Sequence, residues 1–335
     1  MTDLPLVRLG NTGLRVSRLS LGTMTFGGQC DAQAVDRILG KAVDAGINLL
    51  DTANVYPFGK DIARNGTSER MVGEWIAAQP GRRQSVLLAT KAGGVMGPGP
   101  CDRGASRKHL LDSVDASLQR LRTDYVDLFQ VHHDDPDTGL EETLLALDTI
   151  VRSGRARYVG VSNFLAYRAA LALGIGRAQG FMPLVSVQCR YSLLFRELER
   201  ELFPLARETG LGVLAYNPLA GGLLTGRYQP GQEADGGRFG SGDASVAYRQ
   251  RYWNDPCITT AQKLGGIAAE EGVPLATLAI SWVLANPAVT SCILGASQVA
   301  QLGDTVAGAT YVLSGSLKTR LDEMTHEFRF GDAPR

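Results

Sequence analysis

The sequence predicts an α/β protein that folds as a (β/α)8 barrel, and three observations support this class. Eight short runs rich in β-forming residues follow one another, most of them about 30 to 40 residues apart. Segments with apolar residues at helical spacing lie between the runs. The chain has 335 residues, which suits one barrel of this kind. We therefore expect a single domain over residues 1–335, with helices outside a closed parallel sheet.

The predicted strands alternate with predicted helices, as parallel βα units require. The clearest helical patterns are DAQAVDRILGKAVDAG, SRKHLLDSVDASLQRL, EETLLALDTIVRSG and LATLAISWVLANP, in which apolar residues recur at i, i+3, i+4 and i+7. The eight predicted strands are Leu19–Thr23, Asn48–Asp51, Val86–Lys91, Val126–His132, Ala156–Ser162, Leu184–Cys189, Gly212–Tyr216 and Ser291–Leu294.

Two segments stand outside this rhythm. The stretch LPLVRLGNTGLRVSRL predicts an antiparallel hairpin about the turn Asn11-Thr12-Gly13, which would plug the bottom of the barrel. The connection between the seventh and eighth strands is much longer than the others, and its residues 217–257 are rich in Gly, Arg and Tyr. A connection of this length in a compact domain is usually functional or disordered.

Composition and charge exclude several classes of function. Lys plus Arg and Asp plus Glu both total 34, so the formal charge is zero and offers no long-range attraction to nucleic acids or acidic membranes. The segment MTDLPLVRLG lacks the regions of a secretory signal, and no run of eighteen apolar residues occurs. The five cysteines are scattered and form no CxxC pair. We expect a cytoplasmic protein that binds neither nucleic acid nor membrane; its oligomeric state stays open.

No phosphate-binding fingerprint follows the first predicted strand. The segment GTMTFGG contains neither GxGxxG nor GxxxxGK[ST], and the later segment GGVMGPG does not begin a helix. A doubly wound dinucleotide fold is therefore disfavoured. A dinucleotide, if one binds, would have to bind by another device.

Four polar side chains lie at or just after the ends of predicted strands. Asp51 ends the second strand, Lys91 ends the third and His132 ends the fourth, while Tyr56 follows Asp51 by five residues in the loop DTANVYPFG. Because the carboxyl ends of barrel strands surround one mouth, these side chains should converge there. An acid, a phenol, an amine and an imidazole would then share one site.

This set of groups suits the reduction of a carbonyl. A phenol, whose ordinary pKa is near 10, is a weak acid at neutral pH unless a nearby cation stabilises its phenolate. The ammonium of Lys91, held charged by Asp51, would lower the pKa of Tyr56, and His132 would orient a carbonyl or relay a proton. Since no side chain supplies a hydride, the set implies a nicotinamide cofactor.

A metal site is disfavoured because the chain has few histidines and none of the common metal-binding motifs. The run HHDD at residues 132–135 has the ligand types of zinc-dependent hydrolases, but the chain has four histidines and neither HxH nor HExxH. His133 should face away from His132, since successive strand residues alternate. Aromatic residues in loops on the catalytic side should either form an apolar wall or pack against the rim, and they are Phe26, Phe58, Tyr252 and Trp253.

Seven segments resemble, in order, motifs of the aldo-keto reductases. They are NLLDTANVY, LLATKAGG, YVDLFQVHH, YVGVSNF, VSVQCRYS, AYNPLAGGLLTGRY and SCILGASQVAQL. The chain most resembles the branch that includes potassium-channel β subunits and many bacterial reductases. The resemblance implies a catalytic tetrad of Asp51, Tyr56, Lys91 and His132, with Tyr56 as general acid and a hydride passing from the nicotinamide to a carbonyl carbon.

The same resemblance implies a set of cofactor-binding residues. Ser162, Asn163 and Gln188 would contact the carboxamide, and Tyr216 would lie against the nicotinamide face. Backbone N–H groups near Gly222 would approach the pyrophosphate, where glycine leaves room. The other residues implied are Gly22, Thr23, Met24, Asp51, Asn217, Pro218, Leu219, Arg227, Arg238, Gly295, Ser297 and Gln301.

The resemblance implies NADP as the cofactor, with NAD left open. The preference rests on Arg227, Arg238 and Ser297, because the segment GASQVAQLGDTV lacks the Lys or Arg that many relatives carry there. Asp304 stands where an acidic residue usually follows, whereas Thr305 departs from the usual Asn.

The expected function is the reduction of an aldehyde or ketone to an alcohol, with a small carbonyl compound as the partner. Two alternatives stay open beside it. One is a reductase of deoxysugars or secondary metabolites on the same scaffold. The other is a cofactor-occupied subunit that senses redox state and regulates a partner.

Overall fold

Eight parallel strands close into a barrel in the structure, a computed structural model that describes residues 4–228, 236–240 and 243–331. Each strand pairs with the next along the chain, and the last pairs back onto the first through Cys292 and Leu19. All eight predicted strands are confirmed, with ends that differ by at most two residues. The barrel strands are β3 (Leu19–Gly22), β4 (Leu49–Asp51), β5 (Leu87–Ala92), β6 (Val126–Val131), β7 (Ala156–Ser162), β8 (Leu184–Arg190), β9 (Gly212–Tyr216) and β10 (Val289–Gly295).

Helices cover the outside of the barrel, and their beginnings follow local sequence signals. The side chains of Asp31 and Ser106 cap two of them by accepting hydrogen bonds from backbone N–H groups three residues on. The helices are α1 (Ala32–Asp44), α2 (Thr67–Ala77), α3 (Arg82–Ser85), α4 (Arg107–Leu121), α5 (Leu140–Arg152), α6 (Ala166–Gln179), α7 (Leu202–Thr209), α8 (Asp243–Tyr252), α9 (Asp255–Glu270), α10 (Leu275–Leu284), α11 (Gln301–Ala307) and α12 (Gly315–Met324), with 3-10 segments at Ile62–Arg64, Glu197–Glu199, Ala220–Thr225 and His326–Arg329.

Among the described residues, no single helix is both long and apolar enough to cross a membrane. Helices α9 and α10 meet the length and composition test only as a pair, and a bend of 97° separates them. Nearly every residue of α10 is buried against the barrel, which accounts for its apolar character on all sides.

The predicted hairpin is present and lies across the amino-terminal ends of the strands. Strands β1 (Leu6–Arg8) and β2 (Arg15–Ser17) pair antiparallel. Beyond β1, the side chain of Leu9 enters the barrel and occupies the space beside Gly212, where a Cβ would lie 2.6 Å from it. The hairpin therefore closes the bottom of the barrel, as expected, and leaves the opposite end open.

The barrel interior is divided into an apolar layer and a polar layer by the alternation of strand residues. Leu49, Ala89 and Leu128 lie in the apolar cluster that the hairpin covers. Two residues later, and so on the same face of each strand, stand Asp51, Lys91 and Gln130. The polar layer thus lies toward the carboxyl ends of the strands, where the candidate site is found.

The long connection between β9 and β10 contains regular structure. A 3-10 segment lies at Ala220–Thr225, and helices α8, α9 and α10 follow. Phe239 packs edge to face against Tyr228 and Tyr248, so the described parts of this connection share an aromatic cluster. Residues 229–235, 241 and 242 lie outside the described ranges.

The plug can be tested with Leu9→Ala. Leu9 is fully buried, so its truncation should lower the free energy of unfolding by about 2 to 5 kcal/mol, measured by urea denaturation. Leu6→Ala is the matched control, because Leu6 belongs to the same hairpin but is 49% exposed. Equal losses in the two variants would contradict the role of Leu9 as the buried plug.

Candidate active site

A cleft of about 520 Å³ opens at the carboxyl ends of the barrel strands. Five strands end in a residue that lines it: Gly22, Asp51, Ser162, Tyr216 and Gly295. Every residue that the sequence analysis assigned to the site lines this cleft except Lys91 and Thr23. The structure therefore brings together side chains from all parts of the chain at one mouth.

Lys91 and Asp51 form a buried ion pair beneath the floor of the cleft. The Nζ of Lys91 donates to Oδ2 of Asp51 at 2.6 Å and to the carbonyl oxygen of Thr52 at 2.8 Å. Lys91 is 0% exposed and Asp51 is 2% exposed. Burial lowers the pKa of Lys91, and the carboxylate of Asp51 opposes this shift.

Two glutamines hold the other oxygen of Asp51. Gln188 Nε2 donates to Asp51 Oδ1 at 2.8 Å, and Gln130 Nε2 lies 3.4 Å from the same oxygen. Gln188 Nε2 also donates to Gln130 Oε1 at 3.3 Å. Gln130 was not among the predicted site residues, although in the predicted strand Val126–His132 it lies two residues before His132 and so on the same face.

Tyr56 lines the cleft above this ion pair. Lys91 Nζ lies 5.2 Å from the centre of the Tyr56 ring. Burial and the Asp51 carboxylate raise the pKa of Tyr56 well above its ordinary value. The net shift is therefore opposite to the expected one, because dehydration of the phenol and the Asp51 carboxylate outweigh the effect of the cations. The phenol stays protonated at neutral pH.

His132 follows β6 and packs its ring edge to face on Tyr56, with ring centres 5.8 Å apart. Burial lowers the pKa of His132 well below its ordinary value, and the charge of Lys91 adds to this shift. The imidazole is therefore neutral. Its Nδ1 is buried and has no hydrogen-bond partner among the described residues.

His133 does not face away from His132, contrary to the expectation from strand alternation. The two rings stack with centres 4.6 Å apart and planes 6° apart, and both line the cleft. The reason is that β6 ends at Val131, so the alternation of strand residues no longer applies. Tyr56, His132 and His133 thus form a continuous row of rings.

A hydrogen-bonded group of side chains lies on the next wall of the cleft. Tyr216 donates from its hydroxyl to Asn163 Oδ1 at 2.8 Å, and Asn163 Nδ2 donates to the carbonyl oxygen of His132 at 2.9 Å. Asn163 Nδ2 also contacts Ser162 Oγ at 3.0 Å. Burial raises the pKa of Tyr216 to about 12, so this phenol too is neutral. These contacts fix Ser162, Asn163 and Tyr216 relative to His132.

Residues 217–222 form a tight turn along the cleft. Asn217 has a φ of 62° and accepts a hydrogen bond from the Gly221 N–H at 3.0 Å. Gly221 and Gly222 have φ values of 72° and 102°, and a Cβ on Gly222 would lie 2.9 Å from the guanidinium of Arg227. Backbone conformation favours glycine at both positions, and at Gly221 space does so as well, because a Cβ there would lie 2.7 Å from the Tyr248 ring. Pro218 and Leu219, also assigned to the site, line the same wall.

Arginines and small polar groups lie at the far end of the cleft. Arg238 lies beside Gly295, where a Cβ would be 3.4 Å from its guanidinium, and 5.0 Å from the Tyr248 ring centre. Ser297 donates its N–H to Gln301 Oε1 at 2.8 Å. Asp304 and Thr305 also line this end of the cleft.

Of the residues after the first barrel strand, Gly22 and Met24 line the cleft and Thr23 does not. Thr23 is fully buried, and its hydroxyl is hydrogen-bonded to Ser68 Oγ at 2.7 Å. The side chain of Thr23 therefore points into the protein core. Its position does not support the prediction that it binds the cofactor.

The loop aromatics divide between the two expected arrangements. Phe58 is 51% exposed and lines the cleft, so it belongs to the wall. Phe26 and Tyr252 are fully buried, and Trp253 packs against the core. All five cysteines are free, and no group of three potential metal ligands occurs in the part of the chain that the structure describes.

Comparisons with known proteins agree with this architecture. The sequence model of the Aldo/keto reductase family matches residues 18–325. The uncharacterized oxidoreductase YrpG of Bacillus subtilis is 39% identical over 320 residues, which cover 94% of each chain. A "Probable voltage-gated potassium channel subunit beta" of Arabidopsis thaliana is 37% identical over 88% of each chain. The L-glyceraldehyde 3-phosphate reductase of Escherichia coli is 37% identical over 89% of this chain and 85% of its own.

The buried ion pair predicts an asymmetric effect on stability. Asp51→Asn leaves the Lys91 ammonium buried without its counter-charge and should lower the free energy of unfolding by about 3 to 5 kcal/mol, measured by urea denaturation. The double variant Asp51→Asn with Lys91→Met removes both charges and should recover part of this loss. If Asp51→Asn were as stable as the native protein, the ion pair would not be needed to keep the Lys91 charge buried.

Proposed function

The chain belongs to the aldo/keto reductase family, and from this premise we propose that it is an NADP(H)-dependent reductase that converts an aldehyde or ketone into an alcohol. Family membership supports oxidoreductase activity on carbonyl compounds. The observation that carries the finer proposal is the contact between Tyr56 and His132 in the cleft, directly above the Lys91–Asp51 ion pair.

In this proposal Tyr56 donates the proton and His132 positions the carbonyl. The raised pKa of Tyr56 keeps its hydroxyl protonated at neutral pH, so it can donate to a carbonyl oxygen. The neutral imidazole of His132 can donate one N–H to the same oxygen. A reduced nicotinamide, when bound, supplies the hydride that goes to the carbonyl carbon.

Lys91 stabilises the negative charge that Tyr56 acquires when its proton leaves. Its ammonium lies 5.2 Å from the ring centre, in surroundings from which water is excluded, so the attraction is weakly screened. Because burial lowers the pKa of Lys91, its proton is also easier to pass on to the tyrosinate. Asp51 keeps Lys91 in place throughout.

The donor set of the cleft fits a nicotinamide dinucleotide. Ser162, Asn163 and Gln188 would hold the carboxamide, since Gln188 uses its NH₂ within the protein and keeps its carbonyl oxygen as an acceptor. Tyr216 would lie against the nicotinamide ring. Around the phosphates the proposal uses the turn at Gly222 and the side chains of Arg227, Arg238, Ser297 and Gln301.

NADP is proposed over NAD because of the arginines. Arg227 and Arg238 both line the cleft, no described carboxylate lies within 4.0 Å of either, and a guanidinium binds phosphate through parallel hydrogen bonds. The five free thiols suit a reducing compartment, and we propose the cytoplasm as the location.

The cofactor proposal predicts tighter binding of NADPH than of NADH, measured by titration of protein fluorescence. Arg238→Gln should weaken NADPH more than NADH, because the extra phosphate of NADPH loses a charged partner. If Arg238→Gln weakened the binding of NADPH and NADH equally, Arg238 would not contact the extra phosphate of NADPH. Tighter binding of NADH than of NADPH by the native protein would contradict the proposed preference for NADP.

The catalytic proposal predicts that Tyr56→Phe cuts turnover of an aldehyde by orders of magnitude while NADPH binding stays intact. The aldehyde reaction is followed by loss of NADPH absorbance, and binding by fluorescence. Tyr167→Phe, the same chemical change at an exposed residue of α6 that does not line the cleft, is the control and should retain native turnover. An undiminished turnover rate in Tyr56→Phe would contradict the role of Tyr56 as the proton donor.

A regulatory function is the second candidate. It is favoured by the similarity to relatives named as potassium-channel β subunits. Such a subunit would bind NADPH and turn over carbonyl compounds slowly or not at all. The relative named for L-glyceraldehyde 3-phosphate reduction favours the enzyme, with an aldehyde as substrate.

A further inference from the structure

Arg251 lies on α8, is exposed, and lines the cleft together with Tyr56, His132 and His133. Burial lowers the pKa of His133 and raises that of Tyr216. Among the charged groups that also shift these two pKa values, Arg251 has the largest effect. Tyr252, the next residue of α8, accepts a hydrogen bond from Asn217 Nδ2 at 3.2 Å, and Asn217 directly follows Tyr216. Arg251 therefore belongs to the end of the cleft that holds Tyr56 and His132, which we call the carbonyl end because the proposed substrate carbonyl binds there.

No described carboxylate neutralises Arg251 within 4.0 Å. Asp51 is at the same end of the cleft, but it is buried and paired with Lys91. Asp134 follows His133 in the chain, and Arg168 holds both of its oxygens at 2.8 Å. Within the described ranges, the guanidinium of Arg251 thus lines the cleft without a paired carboxylate.

The cofactor proposal does not use this charge. Arg227 lies beside Gly222 and Arg238 beside Gly295, toward the end assigned to the phosphates of the dinucleotide. Arg251 instead adjoins Tyr252, which is hydrogen-bonded to Asn217 directly after Tyr216. Arg251, the third arginine of the cleft, is therefore available to bind an anion other than the cofactor phosphates.

We propose that Arg251, together with His133, forms an anion-binding subsite for the substrate, so that the preferred substrates are aldehydes or ketones bearing a carboxylate or phosphate group. A guanidinium binds either anion through two parallel hydrogen bonds. The exposed imidazole of His133 adds one N–H donor. This inference rests on the proposed reductase function.

The test compares charged substrates with neutral counterparts of similar size. Succinic semialdehyde is paired with butanal, and glyceraldehyde 3-phosphate with glyceraldehyde. The measured quantity is the ratio of kcat/KM for the charged substrate to that for its counterpart. In the native protein at least one ratio should exceed one, and the pair with the larger ratio distinguishes carboxylate from phosphate.

Arg251→Gln should lower that ratio about 10- to 100-fold, as expected for the loss of a charged hydrogen bond. Arg251→Lys should give an intermediate ratio, because lysine keeps the charge but not the planar fork. Arg37→Gln is the matched control, since Arg37 is exposed on α1 and does not line the cleft. It should keep the native ratio.

The inference is overturned if Arg251→Gln changes charged and neutral substrates equally, or if the native protein prefers the neutral ones. Reduction of neutral aldehydes would still support the reductase function in either case. If no carbonyl is reduced, the proposed function fails, and calorimetric binding of 4-hydroxybutyrate and glycerol 3-phosphate with NADP⁺ present tests the subsite directly. Binding that Arg251→Gln weakens supports the subsite, and undiminished or absent binding overturns it.

Discussion

The ion pair of Lys91 and Asp51 is the interaction on which the site depends. A charge without contact with water costs several kcal/mol unless an opposite charge and hydrogen bonds accompany it. Lys91 and Asp51 therefore require each other, and Asp51 also requires the amides of Gln130 and Gln188. These partners come from β4, β5, β6 and β8, so the polar network ties together half of the barrel strands.

The barrel places this network by simple geometry. Strand residues alternate between inside and outside, so an inward apolar residue at the bottom is followed two positions later by an inward residue at the top. The hairpin covers the apolar layer, which leaves the polar layer as the floor of the cleft. The apolar layer thus lies at the closed end and the candidate site at the open end, as is usual for this fold.

Charge is distributed unevenly along the cleft. Tyr56, His132 and Tyr216 are all neutral, because burial disfavours their charged forms. Neutral groups can donate hydrogen bonds and protons without repelling an incoming molecule. Arg227, Arg238 and Arg251 lie on the more exposed walls of the cleft. Burial and exposure thus separate groups suited to chemistry from groups suited to binding.

The sequence by itself determined the eight strands, the hairpin and the family, because strand period, spacing and motif order are local properties. It also predicted that Asp51, Tyr56, Lys91 and His132 converge, as they do in the structure. Only the tertiary structure decided the contact of Gln130 with Gln188, 58 residues apart, and the raised pKa of Tyr56. It likewise decided the stacking of His133 on His132. The hydration and the contacts of a side chain depend on which distant parts of the chain surround it. A local sequence pattern does not contain that information.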